Sequence, residues 1–134
     1  MPLITIDLLE GRSAGELDAI SDAVHDSMVE LLGVPQRDRF QIITEHTPRT
    51  LRFDRNYLEI DRDSDFILVR ITLAQGRTTE AKRGFYQRLS ELLADRARIR
   101  PENLTVVMTE NGREDWSFGG GQASYLELPP EAWR

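Results

Sequence analysis

Pro2 is the residue whose position could do chemistry, because removal of Met1 leaves its ring nitrogen as a free secondary amine. An α-amino group titrates at about 7.7–8.0 before perturbation, so modest burial or a neighbouring charge decides whether it is a base or an acid near neutrality. The amine heads the apolar run Leu3, Ile4, Ile6, Leu8 and Leu9. A plain reading stands beside this one, since proline after methionine favours cleavage and is tolerated at the first residue of a strand. Asp38 follows the Pro35 turn and by itself reads as a turn cap or a strand start. Arg77 sits at a helix entrance, where its charge opposes the macrodipole; that points to a ligand, with an ion pair to Glu80 as the ordinary alternative. Arg12 repeats the setting with Glu10 and Glu16 beside it and reads as structural. Trp116 and Phe118, next to Gly119–Gly121, fit a pocket wall and a subunit core equally well.

Other chemistries are excluded or weak. The chain has no cysteine, hence no disulfide, thiolate nucleophile or Cys-ligated zinc. Its two histidines stand 21 positions apart, and neither a metal nor a cofactor is expected. His25, beside Asp26, reads as a helix-surface residue, and His46 as an exposed loop residue after the second strand. The glycines at 119–121 precede no helix start or lysine and do not make a phosphate loop.

The 134 residues, 40% hydrophobic and 30% charged, suffice for one sizeable core. A net charge of −6 opposes nucleic-acid binding, which depends on cations neutralising phosphates. Of the 17 cations only Lys82 is a lysine. Arginine's planar fork suits small anionic substrates, although the base composition of a GC-rich genome is the plainer cause of the count. No apolar run is long enough for a membrane span, and the N-terminus lacks a secretory pattern, so the cytoplasm is the default location.

The elements that must position these residues come in two sets. Ile6-Asp7-Leu8-Leu9-Glu10-Gly11-Arg12-Ser13 recurs as Ile71-Thr72-Leu73-Ala74-Gln75-Gly76-Arg77-Thr78, 65 positions later. Pro35 to Glu45 echoes Pro101 to Glu110, one residue shorter, so one domain over 1–134 divides into pseudo-repeats of about 1–64 and 65–134. In the first, alternating Ile4, Ile6 and Leu8 predict a strand. Ser13 and Glu16 form a capping box, and Leu17, Ile20, Val24, Met28 and Leu31 make a helical stripe that stops at Gly33. In the second, 66–73 reads as a central strand, Ala81, Phe85, Leu89 and Leu92 as a helix stripe, and 104–110 as the fourth strand.

The expected fold is therefore α+β, an α/β sandwich. Two tandem β-α-β units form a four-stranded sheet with both helices on one face. The other face is left apolar and uncovered, which predicts a homo-oligomer with sheets inside. Leu51-Arg52-Phe53, Tyr57-Leu58-Glu59-Ile60 and 118–123 are expected as hairpins or edge strands that stitch subunits together.

Pro2, Glu10-Gly11-Arg12-Ser13, Ile42-Ile43-Thr44-Glu45 and Phe118-Gly119-x-Gly121 resemble the tautomerase superfamily. The two-unit length, with Pro35-x-x-Asp38-Arg39-Phe40-Gln41 and Asp115-Trp116-Ser117-Phe118-Gly119, is most similar to its malonate semialdehyde decarboxylase branch. The resemblance implies a bacterial-type homotrimer acting on a small carboxylate-bearing substrate without cofactor. It makes Pro2 the catalytic amine, Asp38 its acidic partner or the activator of water, and Arg77 the cation for a substrate carboxylate or carbonyl oxygen. Trp116, Phe118 and Tyr125 become the apolar wall. The decarboxylases carry arginine where this chain has Gln75, which keeps a hydrogen-bonding contact and loses a charge. Where 4-oxalocrotonate tautomerase has its second arginine, this chain has Phe40. Ile67 stands 65 positions after Pro2, so one active amine per chain is implied.

Two enzymatic readings follow, with a third that is not enzymatic. If Arg77 dominates the field at Pro2, the amine is neutral and suited to keto–enol tautomerisation of a small 2-oxo or 3-oxo acid. If Asp38 lies closer, the protonated amine is favoured, as hydration or decarboxylation of a 3-oxo acid requires. The third reading is a non-catalytic trimeric binding protein on the same scaffold.

Overall fold

The computed structural model describes residues 2–133, so Met1 lies outside the described residues. Strands β1 (Pro2–Leu9), β2 (Gln41–His46), β3 (Ile67–Ala74) and β4 (Leu104–Asn111) form one sheet in the order β2-β1-β3-β4. β1 runs parallel to β2 and β3 parallel to β4, while the central pair β1–β3 is antiparallel. Helices α1 (Ala14–Leu32) and α2 (Thr79–Ala97) connect the two parallel pairs, and a short helix α3 (Ser124–Glu127) lies in the tail.

The local signals explain these elements. Ser13 Oγ accepts the Glu16 N–H at 3.2 Å and caps α1. The Ser13 hydroxyl donates to Glu16 Oε1 at 3.2 Å, so the Glu16 carboxylate meets the capping side chain and the expected capping box is formed only in its first half. α1 ends on Gly33 at φ +66°, the left-handed conformation that lacks a penalty only for glycine. Thr78 caps α2 in the same manner, and Arg98 takes the left-handed position at its end with φ +55°.

The two halves keep one spacing throughout. The strands β1 and β3, the helices α1 and α2, and the pairings Ile4–Gln41 and Val69–Val106 all lie 65 positions apart. So do the turns closed by Asp38 N–H to Pro35 O and by Asn103 N–H to Arg100 O, both at 3.0 Å. Pro35 therefore corresponds to Arg100, and its sequence echo at Pro101 is one position out of register.

Ile4, Ile6, Leu8, Ile67, Val69, Ile71 and Leu73 meet Ile20, Val24 and Met28 of α1 and Phe85, Leu89 and Leu93 of α2 in one core. Side chains alternate across a strand, so the odd positions of β1 face away from the helices. On that side Leu3, Ile42 and Val107 are 40–52% exposed. Asp7 shares the face yet is buried: its Oδ1 meets His46 Nε2 at 2.7 Å and its Oδ2 accepts from Arg70 Nη2 at 3.0 Å. His46 is thus the last residue of β2 and half-buried, contrary to the loop position expected for it.

The expected edge strands are absent among the described residues. Tyr57–Glu59 is a 3₁₀ turn in which Leu58 and Glu59 both have positive φ, and Phe53 stacks on Phe66 with centroids 4.2 Å apart. Gly119, Gly120 and Gly121 all have positive φ, which an extended strand does not allow. No helix among the described residues is long and apolar enough to cross a membrane.

Removing Asp7 leaves two polar partners without their acceptor. Asp7→Ala is expected to lower the unfolding free energy by about 1–3 kcal/mol, the scale of hydrogen bonds to charged groups. Arg70→Ala, whose side chain is 57% exposed, is expected to lower it by less than about 1 kcal/mol. Urea titration at one fixed protomer concentration checks both values.

Candidate active site

The backbone brings Pro2, Asp38 and Arg77 to one end of the sheet. Pro2 opens β1, is buried, and pairs with Leu73 near the end of β3. The Ile4 N–H donates to the Phe40 carbonyl at 3.0 Å, which draws the turn carrying Asp38 alongside the start of β1. Beyond Ala74 the chain turns at Gly76, with φ +129°, into Arg77 ahead of the α2 cap.

Arg77 turns away from the α2 dipole that would repel it. Its Nε donates to Leu32 O at 3.1 Å and its Nη1 to Ala74 O at 3.0 Å. The cation thereby satisfies a carbonyl at the C-terminus of α1, where positive charge is favourable. This contact takes the place of the Glu80 pair. Two donors fix the plane of the guanidinium, and Nη2, the nitrogen outside both bonds, remains to meet an anion.

Asp38 is 7% exposed. Burial pushes its carboxyl above the usual carboxylate range, against the pull of positive charges that include His25 and Arg77. Tyr125 belongs to the same corner. Burial and the Asp38 charge push its phenol up to about 12 while Arg77 and Arg113 pull it down, so it stays a protonated donor at neutral pH.

The tail supplies an aromatic wall. Phe118 lies 5.5 Å from Trp116 in a stacked pair, 5.6 Å from Tyr125 edge-on, and 5.8 Å from Phe40. Ser124 locks this fold-back: its N–H donates to Trp116 O at 3.2 Å and its Oγ accepts from Phe118 N–H at 2.9 Å. Trp116 Nε1 donates to Asn111 Oδ1 at 2.7 Å, which ties the wall to β4. Gln75 stands at the rim, exposed, with its N–H on Asn111 O at 2.9 Å.

This corner couples a strand-head amine position to a buried carboxylate, a fixed guanidinium and an aromatic wall, an arrangement able to move a proton on a small anionic carbonyl compound. Family models described as tautomerase enzyme match residues 2–58 and residues 38–119. The chain belongs to the tautomerase superfamily, and it is an enzyme of that superfamily. It is 35% identical to the probable tautomerase YusQ of Bacillus subtilis (strain 168), covering 95% of this chain and 100% of that protein. With the probable tautomerase YrdN of the same organism it shares 36% identity over 94% of this chain and 97% of the other. A malonate semialdehyde decarboxylase structure superposes with a TM-score of 0.88 at 34% identity, over 92% of this chain and 95% of that one. The FG41 malonate semialdehyde decarboxylase structure, inhibited by 3-bromopropiolate, gives 0.87 at 39% identity over 92% and 94%.

Within this tautomerase the sequence missed three contributors to the corner. Phe40 extends the wall, Arg113 adds a second positive charge near Tyr125, and His25, expected on the helix surface, is 2% exposed. The available signal for His25 was the row Ser21, His25, Met28 and Leu32, a second line of helical spacing that marks a face wider than one stripe.

A carboxyl held high by burial favours the native state when protonated, and that stability is lost as the pH rises through its native value. Asp38→Asn is therefore expected to melt a few degrees above wild type at pH 7. The gap is expected to close below about pH 4, where the wild-type carboxyl is protonated too. Calorimetry across this range checks the sign.

Proposed function

We propose that this tautomerase-superfamily enzyme uses the Pro2 amine for keto–enol tautomerisation of a small 2-oxo or 3-oxo acid. The observation that carries the reading is a buried carboxylate, Asp38, under the pull of Arg77, on a turn that the Ile4 N–H draws beside Pro2. In this reading the neutral amine takes the enol hydroxyl proton and returns it to the adjacent carbon. One O–H bond breaks, one C–H bond forms, and no co-reactant is needed. Arg77 binds the substrate carboxylate through Nη2, and Gln75 adds a neutral hydrogen bond at the rim. Trp116, Phe118 and Tyr125 exclude water, while Asp38 orients the amine.

A second reading is decarboxylation or hydration of a 3-oxo acid. The turn carrying Asp38 favours it, because the Ile4 N–H to Phe40 carbonyl bond draws that turn alongside Pro2. A nearby carboxylate stabilises the protonated amine, which hydrogen-bonds the carbonyl oxygen. The bond to the leaving carbon dioxide breaks, its electron pair passes into the enolate, and the amine's proton goes to that carbon, leaving the aldehyde and a neutral amine. The likeness to two malonate semialdehyde decarboxylases supports this reading, while the neutral Gln75 weakens the clamp it needs.

The active form in both readings is a homotrimer with the uncovered sheet faces inside; fused 4-OT structures of the same fold are trimers. The chain is one domain of two pseudo-repeats, about 1–64 and 65–134. Only the first carries the amine.

Turnover of phenylenolpyruvate and of 3-oxopropanoate by protein lacking Met1 tests the proposal. Pro2→Ala and Asp38→Asn are each expected to lose about 10²–10⁴-fold in kcat/KM on the preferred substrate. Equal activity of wild type and Pro2→Ala on both compounds overturns it. A ¹⁵N titration of Pro2 separates the readings: a midpoint below neutrality supports tautomerisation, and one well above supports the acid chemistry. Arg77→Ala is expected to raise KM for the carboxylate substrate about tenfold or more and to lower the melting temperature, since it also removes a bond to the end of α1.

A further inference from the structure

His25 is buried in the middle of α1, and the proposed reaction leaves it without a task. Its Nε2 lies 2.8 Å from the carbonyl oxygen of Gln36. A carbonyl only accepts, so Nε2 is the donor in this bond. Gln36 belongs to the turn that the Asp38 N–H closes onto Pro35 O at 3.0 Å. The ring thus ties the helix to the backbone two residues before the carboxylate.

The other half of the chain supplies an internal comparison. Sixty-five positions on, the buried turn residue is Asn103 and the helix residue is Ser90. Asn103 is satisfied locally, accepting from the Asp63 N–H at 2.9 Å and donating to Asp63 Oδ1 at 2.8 Å. A neutral amide at this place needs no counter-charge. The histidine occurs in the half where the buried turn residue is ionisable.

We propose that His25 is a positioning residue for Asp38: through its bond to Gln36 O it fixes the turn that carries the carboxylate. The functional part of this inference rests on the reading that Asp38 serves the Pro2 amine. The charged and titratable groups acting around Asp38 among the described residues include His25 on α1, Arg77 before α2, and Tyr125 on α3. His25 is the one supplied from within the helix layer.

His25→Leu removes the N–H that meets the Gln36 carbonyl, while His25→Gln keeps one. Exchange of the Asp38 amide is expected to quicken about tenfold in His25→Leu, with the fold intact by circular dichroism, and to stay near wild type in His25→Gln. The value of kcat is expected to fall with the tether, and KM to change less, because His25 does not touch substrate. An unmoved Asp38 amide in folded His25→Leu overturns the inference. Should that variant not fold, wild-type protein still decides: long-range ¹H–¹⁵N spectra showing Nε2 without a proton overturn it as well. A fully active Asp38→Asn, with the Asp38 amide still quickened in His25→Leu, brings down the reading of the site and leaves the His25 tether standing.

Discussion

Where β1 and β3 run antiparallel, Pro2 lies opposite Leu73 and Leu8 opposite Ile67, and this register sets the position of everything else. It joins the two parallel pairs into one sheet and aligns both helices over one core. It also brings the start of one half beside the end of a strand from the other. Arg77 can reach both Leu32 O and Ala74 O only because that pairing places the α2 entrance next to the α1 exit. A slip of one residue would turn Ile4, Ile6 and Leu8 out of the core, so burial of these side chains holds the register that assembles the corner.

Within the corner, stability and chemistry pull apart. Asp38 is buried where an ionised carboxylate is disfavoured, and the compensation is positive charge drawn from several elements. Arg77 is held by carbonyl oxygens, which fixes its orientation and leaves its charge to act across the site. The tail closes the corner with aromatic area in place of further charge, which lowers the local dielectric and strengthens each remaining electrostatic contact.

The two halves share one backbone plan and differ in the side chains at their corners. Helix lengths, caps and strand registers coincide at a spacing of 65, yet Pro2, Asp38 and Arg77 correspond to Ile67, Asn103 and Arg12. Arg12 donates to the Asp65 carbonyl at 2.8 Å and lies 3.7 Å from its carboxylate, whereas Arg77 donates to the carbonyls of Leu32 and Ala74.

Much of this was legible in the chain. Period-two and helical spacing gave β1, α1, β3 and α2 with their caps, because burial on one face imposes those periods on any sequence. The repeated Gly-Arg-Ser and Gly-Arg-Thr junctions announced two β-α-β units, and Pro2, Asp38, Arg77, Trp116 and Phe118 stood out by type and motif. The turn conformations of 51–60 and 118–123 were not legible, since short apolar runs look alike whether they pair as strands or fold back on an aromatic ring. Nor were the burial of His25, the Asp7–His46–Arg70 network, or the swing of Arg77 from Glu80 to Leu32 O. Local sequence determines which residues can bury a face or cap a helix; only the tertiary structure decides which charges lie in low dielectric beside one another, because that proximity depends on the packing of segments distant in the chain.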